Sequence, residues 1–156
     1  MGELTAGVGI AGVIVRPLKQ HVDERGAVLH MLRGDSVDFI GFGEIYFSLI
    51  NPGVVKAWKR HRRVTQHFAV PVGRIRLVLY DDRPDSPTHG VLAELVLGRP
   101  DRYALVRIPP NIWYGFQGVA DAPSCIANCM DLPHDPSESE QVEPGQSAIP
   151  FCWDSC

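Results

Sequence analysis

The chain predicts an all-β fold, a sandwich or barrel of short strands, on three observations. Short runs rich in β-branched and aromatic residues recur along it, clusters of Gly, Pro, Asn and Asp separate them, and helical periodicity never persists beyond about one turn. In order, the expected strands are 13–18, 27–32, 44–50, 54–58, 67–72, 75–81, 91–97, 103–108, 113–119 and 125–130. The breaks between them include Asn51-Pro52-Gly53, the stretch 81–87 with its two prolines, Gly98-Arg99-Pro100-Asp101 and Pro109-Pro110-Asn111. Alternation is clearest over 74–80, where Ile75, Leu77 and Leu79 share one face and Arg74 and Arg76 begin the other, so that strand should have one wet face. One short helical turn is expected over 34–40. From about residue 132, Pro133, Pro136, Pro144 and Pro150 interleave with Ser137, Glu138, Ser139 and Glu140 and read as a loop-rich tail wrapping the barrel.

The length of 156 residues suits one domain, spanning 1–156, with a real core. A net charge of −3, from 15 basic and 18 acidic residues, gives no overall pull toward nucleic acid or an anionic membrane. The basic cluster Lys56, Lys59, Arg60, Arg62 and Arg63 is dense, but strand alternation divides it between two faces, so no nucleic-acid partner is expected. The apolar start carries an acid at Glu3, several glycines and no basic n-region. It reads as a flexible lead-in, and with no run of roughly 18 apolar residues a cytoplasmic protein without membrane contact is expected. Cys125, Cys129, Cys152 and Cys156 read as free thiols, a disulfide or adventitious zinc being the alternatives.

Between Gly53 and Gly73 the spacing resembles the first motif of the cupins, jelly-roll β-barrels: Gly-x5-His-x-His-x4-Glu-x6-Gly. Here the first ligand slot holds Lys59, the second His61 and the acidic slot Gln66. The second cupin motif, Pro-x-Gly-x-x-His, is similar to the stretch 109–114, with Asn111 for glycine and Tyr114 for histidine. Asn is the commonest substitute where the backbone turns left-handed, so the turn should survive. An ammonium, a carboxamide and a phenol are poor replacements for metal ligands, so no metal is expected.

Four further stretches resemble the dTDP-4-dehydrorhamnose 3,5-epimerase family of the cupin superfamily: Asp23-Glu24-Arg25-Gly26, the stretch 53–58, Ser86-Pro87-Thr88-His89-Gly90, and Ile108-Pro109 through Gly115-Phe116. The resemblance implies an all-β jelly roll, a homodimer, no cofactor, and a nucleotide-sugar pocket inside the barrel. It gives Arg25 a role at the diphosphate, often across the dimer interface, the alternative being a turn arginine paired with a neighbouring acid. Lys56 takes a second cationic slot, without the planar fork that grips phosphate at two points. The family's catalytic histidine falls on Lys59, and its catalytic tyrosine falls near Ala127 or Asn128, so the usual acid–base pair is replaced.

Proton abstraction beside a carbonyl needs a base poised near working pH, and Lys59 among other cations is chemically able to serve. If the strand alternates, Lys59 and His61 point inward together while Arg60 and Arg62 face out. His61 is then an alternative base, orienting group or donor to an enolate oxygen, and Tyr114 a candidate acid. Each has a plainer competitor: Lys59 neutralising a bound anion, His61 a satisfied interior histidine, Tyr114 capping the pocket with its ring. The resemblance puts His30, Glu44, Tyr46 and Ser48 on strands that line the family's pocket, as candidate contacts to base or sugar, the solvated face being the equal alternative; Gln66 and Asn128 are further candidate substrate contacts. His67 reads as outward-facing and structural or interfacial, and Trp58, Trp113, Phe68 and Phe116 as core and pocket walls. The resemblance implies metal-independent epimerisation or isomerisation of a nucleotide-linked 4-keto-6-deoxy sugar. The alternative is a non-catalytic cupin that binds such a sugar or another small anion.

Overall fold

The computed structural model describes residues 8–154 and contains twelve strands. These are β1 (Ile14–Pro17), β2 (Gln20–Asp23), β3 (Gly26–Leu29), β4 (Glu44–Ile50), β5 (Val55–His61), β6 (Gln66–Val72), β7 (Arg74–Tyr80), β8 (Leu92–Gly98), β9 (Ala104–Ile108), β10 (Trp113–Gly118), β11 (Ser124–Met130) and β12 (Ser139–Gln141). Two five-stranded antiparallel sheets face each other, in the orders β1-β9-β6-β11-β4 and β12-β5-β10-β7-β8, and β2 and β3 form a separate hairpin. Sequence neighbours β5 and β6 lie in different sheets, as the jelly roll requires.

The ten anticipated strands are all present; β2 and β12 are additional. The helical turn expected over 34–40 is absent: that segment has isolated turns, and the helical elements among the described residues are two 3-10 turns at Pro136–Glu138 and Pro144–Gln146. Its fixed point is tertiary. Asp38 is buried and ion-paired to Arg16 at 2.8 Å, which draws the segment across the outer face of β6.

The inner faces pack Phe68, Val70, Val106, Ile108 and Ile126 from one sheet against Ile75, Leu77, Leu79, Tyr114 and Phe116 from the other. Ile75, Leu77 and Leu79 are fully buried, as their alternation implies, each contributing about 1.5–3 kcal/mol of transfer free energy. The opposite face of β7 is not the wet face expected. Val78 is equally buried beneath Trp58, Trp113, Ile149 and Trp153, because the C-terminal tail lies across it, and Arg76 donates 2.8 Å to the Trp153 carbonyl. Gly115 makes room for this: a Cβ there would sit 2.8 Å from the Trp153 ring and 2.6 Å from Ala57.

Two positions justify the cupin frame. Gly73 has φ +82° and a Cβ there would stand 2.2 Å from Ser124 Oγ; Asn111 has φ +68°, the left-handed turn expected of it. The Ser-Pro-Thr motif surrounds a fully buried carboxylate. Asp81 accepts from Arg83 (2.8 and 2.9 Å), Ser86 Oγ (2.6 Å) and Thr88 Oγ1 (2.6 Å). Burial opposes its charge, yet these hydrogen bonds hold it well below the usual carboxylate range. Thr88 Oγ1 also receives the Ala11 N–H at 2.9 Å, and Ile10 and Val13 enter the core, so residues 8–13 are docked; residues 1–7 of the expected flexible lead-in lie outside the described residues. Cys125 and Cys129 are free thiols, whereas Cys152 is disulfide-bonded, against the free-thiol expectation, and Cys156 lies outside the described residues.

Candidate active site

At one end the space between the sheets is not filled by side chains, leaving a cavity of about 960 Å³. One wall comes from β5 and β10 and carries Lys56, Trp58, Lys59, Tyr114 and Phe116. The other comes from β4, β6 and β11 and carries Tyr46, Ser48, Phe68, Ile126 and Asn128. The tail adds His134, Gln141, Val142, Glu143 and Gln146 to the lining.

Lys56 and Lys59 share the cavity although they are an odd number of residues apart. The register explains it: Phe116 pairs with Lys56 and Tyr114 with Lys59, so β5 spends one more residue than β10 over the same span. A bulge of this kind resets the alternation of side chains. Lys56 Nζ donates to the Leu49 carbonyl at 2.7 Å and lies 3.4 Å from Ser48 Oγ. Arg60, Arg62 and Arg63 are not free to crowd Lys59 with positive charge. Arg60 is paired with Glu140 and Asp82 and stacks 4.5 Å over Trp113, Arg62 is paired with Glu140, and Arg63 with Asp135.

His61 is buried behind Tyr114 and does not itself line the cavity. Its Nδ1 is hydrogen-bonded to Glu138, a buried acid from the tail. The other Glu138 oxygen accepts the backbone N–H groups of Arg62 (3.2 Å), Arg63 (3.1 Å) and Val64 (3.4 Å). Burial works to raise this carboxyl, but the His61 and backbone hydrogen bonds outweigh it and hold it below the ordinary value. Burial lowers His61, against the opposing pull of Glu138 and with the help of Lys59. A neutral ring donating from Nδ1 to an anionic carboxylate leaves Nε2 as an acceptor. Tyr114 Oη stands 3.5 Å from that Nε2, the rings parallel within 8°. Burial pushes the Tyr114 phenol far above its usual range, Tyr46 adding to the rise and a Gln66 hydrogen bond opposing it.

On the other wall, the Asn128 amide donates 3.0 Å to Tyr46 Oη and 3.0 Å to Gln66 Oε1. Its own Oδ1 is buried without a partner. Burial raises the Tyr46 phenol, and the Asn128 hydrogen bond opposes that rise.

Of the anticipated site residues, Lys56, Lys59, Tyr114, Tyr46, Ser48 and Asn128 line one cavity, and His61 and Gln66 lie directly behind it. Three do not join them. Glu44 accepts the His134 backbone N–H at 2.9 Å and fastens the start of the tail. Arg25 sits on the β2–β3 turn, 83% exposed and paired with Asp23, outside the cavity of its own chain. His30 follows β3, packs edge-on against His21 at 5.2 Å and does not line the cavity. His67 faces away from the cavity and is structural, as expected, but it is buried rather than solvated: its ring nitrogens lie 3.0 Å from the Cys129 carbonyl and 3.1 Å from that of Asp38, a clasp under the 34–40 segment. Sequence reasoning missed Glu138 and the other tail residues. An acid 77 positions from its histidine, in a Pro- and Ser-rich stretch, has no spacing that marks it.

No protein-family model matches the chain. It is similar to the probable low-salt glycan biosynthesis epimerase Agl13 of Haloferax volcanii, 37% identical over 91% of this chain and 88% of that one. Among solved structures, a dTDP sugar isomerase from Desulfovibrio desulfuricans G20 is 55% identical, covering 93% of this chain and 92% of that chain at a TM-score of 0.89. The dTDP-4-dehydrorhamnose 3,5-epimerase of Bacillus anthracis str. Ames shares the fold, with a TM-score of 0.84 at 16% identity over 97% of this chain and 90% of that one.

Proposed function

Because the chain belongs to the dTDP-4-dehydrorhamnose 3,5-epimerase-like family, we propose that it is a metal-independent epimerase or isomerase of a nucleotide-linked 4-keto-6-deoxy sugar. The observation that carries this is the buried line Glu138–His61–Tyr114, which ends in a cavity that also holds the ammonium of Lys59. Glu138 fixes the His61 tautomer with Nε2 free, and Tyr114 donates to Nε2. As the Tyr114 oxygen takes a proton from the carbon beside the ketone, its own proton passes to His61, and the resulting imidazolium is held against Glu138. The line acts as one general base, a contribution of about 10²–10⁴-fold. The electron pair left on carbon moves onto the ketone oxygen. Lys59, freed of crowding by the acid partners of Arg60, Arg62 and Arg63, stabilises that enolate rather than serving as the base.

Lys56 faces the diphosphate, Ser48 and Asn128 the sugar hydroxyls, and Gln66 holds Asn128 in place. The donor set of Lys59, His61, Gln66 and Tyr114 suits this chemistry and not a divalent cation. The chain acts as one domain and as a cytoplasmic homodimer. Supporting the dimer, the edge strand β4 exposes Ile45, Phe47 and Leu49 along one face, an apolar stripe that a second copy would cover, with Arg25 placed to reach a partner's cavity. Among the described residues no helix is long and apolar enough to cross a membrane.

The test is proton NMR of dTDP-4-keto-6-deoxyglucose in deuterated buffer. Deuterium should enter beside the ketone, and His61→Asn should slow its entry by about 10³-fold while a thermal-shift titration still shows binding. Binding without wash-in by the wild type would leave a non-catalytic sugar-nucleotide receptor.

A further inference from the structure

The two phenols of the cavity are wired in opposite senses. Tyr114 projects from β10, and its hydroxyl faces Nε2 of a histidine whose Nδ1 already donates to Glu138; the phenolic hydrogen is therefore directed at His61, away from the cavity. Tyr46 projects from β4, in the facing sheet, and its oxygen receives an N–H of Asn128 at 3.0 Å. An amide NH₂ can only donate. With that lone pair occupied, the Tyr46 hydrogen is left to point into the cavity it lines. The amide orientation is set independently, because the same NH₂ also donates to Gln66 Oε1.

We propose that Tyr46 is the catalytic acid of this chain, delivering a proton to the sugar on the face opposite the Tyr114–His61–Glu138 line, with Asn128 as the positioning residue that aims it. The assignment rests on the epimerase or isomerase reading above. Asn128 pairs with Tyr46 across β11 and β4, so the phenol stands one strand away from the position where family resemblance leads one to look for a tyrosine and finds Asn128. A second observation points to a ligand here. Asn128 lines the cavity, and its Oδ1 is buried and unpartnered, an acceptor without a donor, as a substrate hydroxyl would supply.

The step balances without any oxidant. Once the base wall has removed the carbon-bound proton, the enolate oxygen returns its electron pair to form the C=O bond, and the C=C pair takes the Tyr46 hydrogen. The C–H bond made on the second face replaces the one broken on the first, leaving a phenolate on one wall and an imidazolium on the other. Proton exchange with water when the product leaves restores both.

The test separates abstraction from delivery. With dTDP-4-keto-6-deoxyglucose in deuterated buffer, Tyr46→Phe should retain deuterium wash-in at the abstracted carbon within about threefold of wild type. Conversion to epimer or keto-isomer should fall by at least about 100-fold, the scale of a lost general acid. Asn128→Asp, isosteric but an acceptor, should pull the Tyr46 hydrogen back to itself and uncouple conversion from wash-in in the same direction, with the melting temperature reporting that the fold is kept. Conversion by Tyr46→Phe within threefold of wild type, or a parallel loss of wash-in and conversion, overturns the assignment. If the wild-type chain shows no wash-in at all, the enzymatic reading falls and this assignment with it; wild-type wash-in alongside unimpaired Tyr46→Phe removes the assignment alone.

Discussion

The two walls of the cavity divide the charge unequally. The β5–β10 wall carries Lys56, Lys59 and the His61–Glu138 pair, whereas the β4–β6–β11 wall presents Tyr46, Ser48, Phe68, Ile126 and Asn128, none of them charged. The difference teaches how a barrel interior can separate the halves of a proton-transfer reaction. In the proposed reaction, creating negative charge on a substrate needs cations and an ionisable relay, and such groups are gathered on one sheet where the tail supplies a counter-carboxylate. Returning a proton needs only an oriented hydroxyl, and a neutral amide suffices to orient it.

The largest expected effect comes from breaking the charged wall at its centre. His61→Asn should lower the wash-in rate by about 10³-fold, within the range of a removed general base, with sugar-nucleotide binding retained in a thermal-shift titration. A loss below tenfold would move abstraction to Lys59. Glu138→Gln keeps the backbone N–H groups of Arg62, Arg63 and Val64 partnered but removes the charge that favours a protonated His61. A loss of about 10–100-fold in kcat is expected, together with about 1–3 kcal/mol of stability read by urea denaturation.

Lys59→Met and Lys56→Met should divide differently. The first should reduce kcat by about 10–100-fold through the enolate, and the second should mainly raise KM, because Lys56 meets a group that carries the same charge in ground and transition states.

The pH profile sharpens the comparison further. The His61 pKa is lowered by burial, so as the proposed base it stays neutral below its ordinary value of about 6.5, and the acidic limb of kcat/KM should begin below that pH rather than above it. Protonating it in the folded state is harder than in the unfolded chain. Its contribution to stability is therefore complete above about pH 6.5 and is lost as pH falls through the folded value. The carboxylate of Asp81, held far below its usual range outside the cavity, follows the same sign at lower pH: its contribution persists above about pH 4 and is lost only as pH falls through its depressed folded value. Urea midpoints measured between pH 3 and 8 would show the two phases. The smallest effect on chemistry should follow Phe47→Glu on the exposed face of β4. Light scattering is expected to report a monomer, with wash-in reduced by less than tenfold if Arg25 of a partner contributes only to binding.

Much of this was legible in the chain. Alternation and turn residues placed ten strands within a few positions, and the spacing of Gly53, Lys59, His61, Gln66 and Gly73 pointed to the wall of the cavity proposed as the site. Those signals are local: a period of two, a left-handed glycine, a proline that cannot pair. The 34–40 segment misled because its conformation is imposed by the Arg16–Asp38 pair and by His67 beneath it, partners remote in sequence. His67 itself lies out of phase with the cavity, as its position implies, but alternation cannot tell an outward face that meets water from one that another segment covers. The same blindness hid the tail, whose aromatic residues bury β7's second face.

By itself, then, the sequence determined the all-β class, the strand order in the chain and the residue types available for proton transfer. Tertiary structure alone decided which of them lie together. It brought Glu138 to His61 across 77 positions, set Lys56 and Lys59 on one face through a bulge, and turned Asn128 toward Tyr46. The reason is physical: backbone preferences act over a few residues, whereas the hydrogen-bond partner of a buried polar group is chosen by whichever remote segment folding brings within about 3 Å.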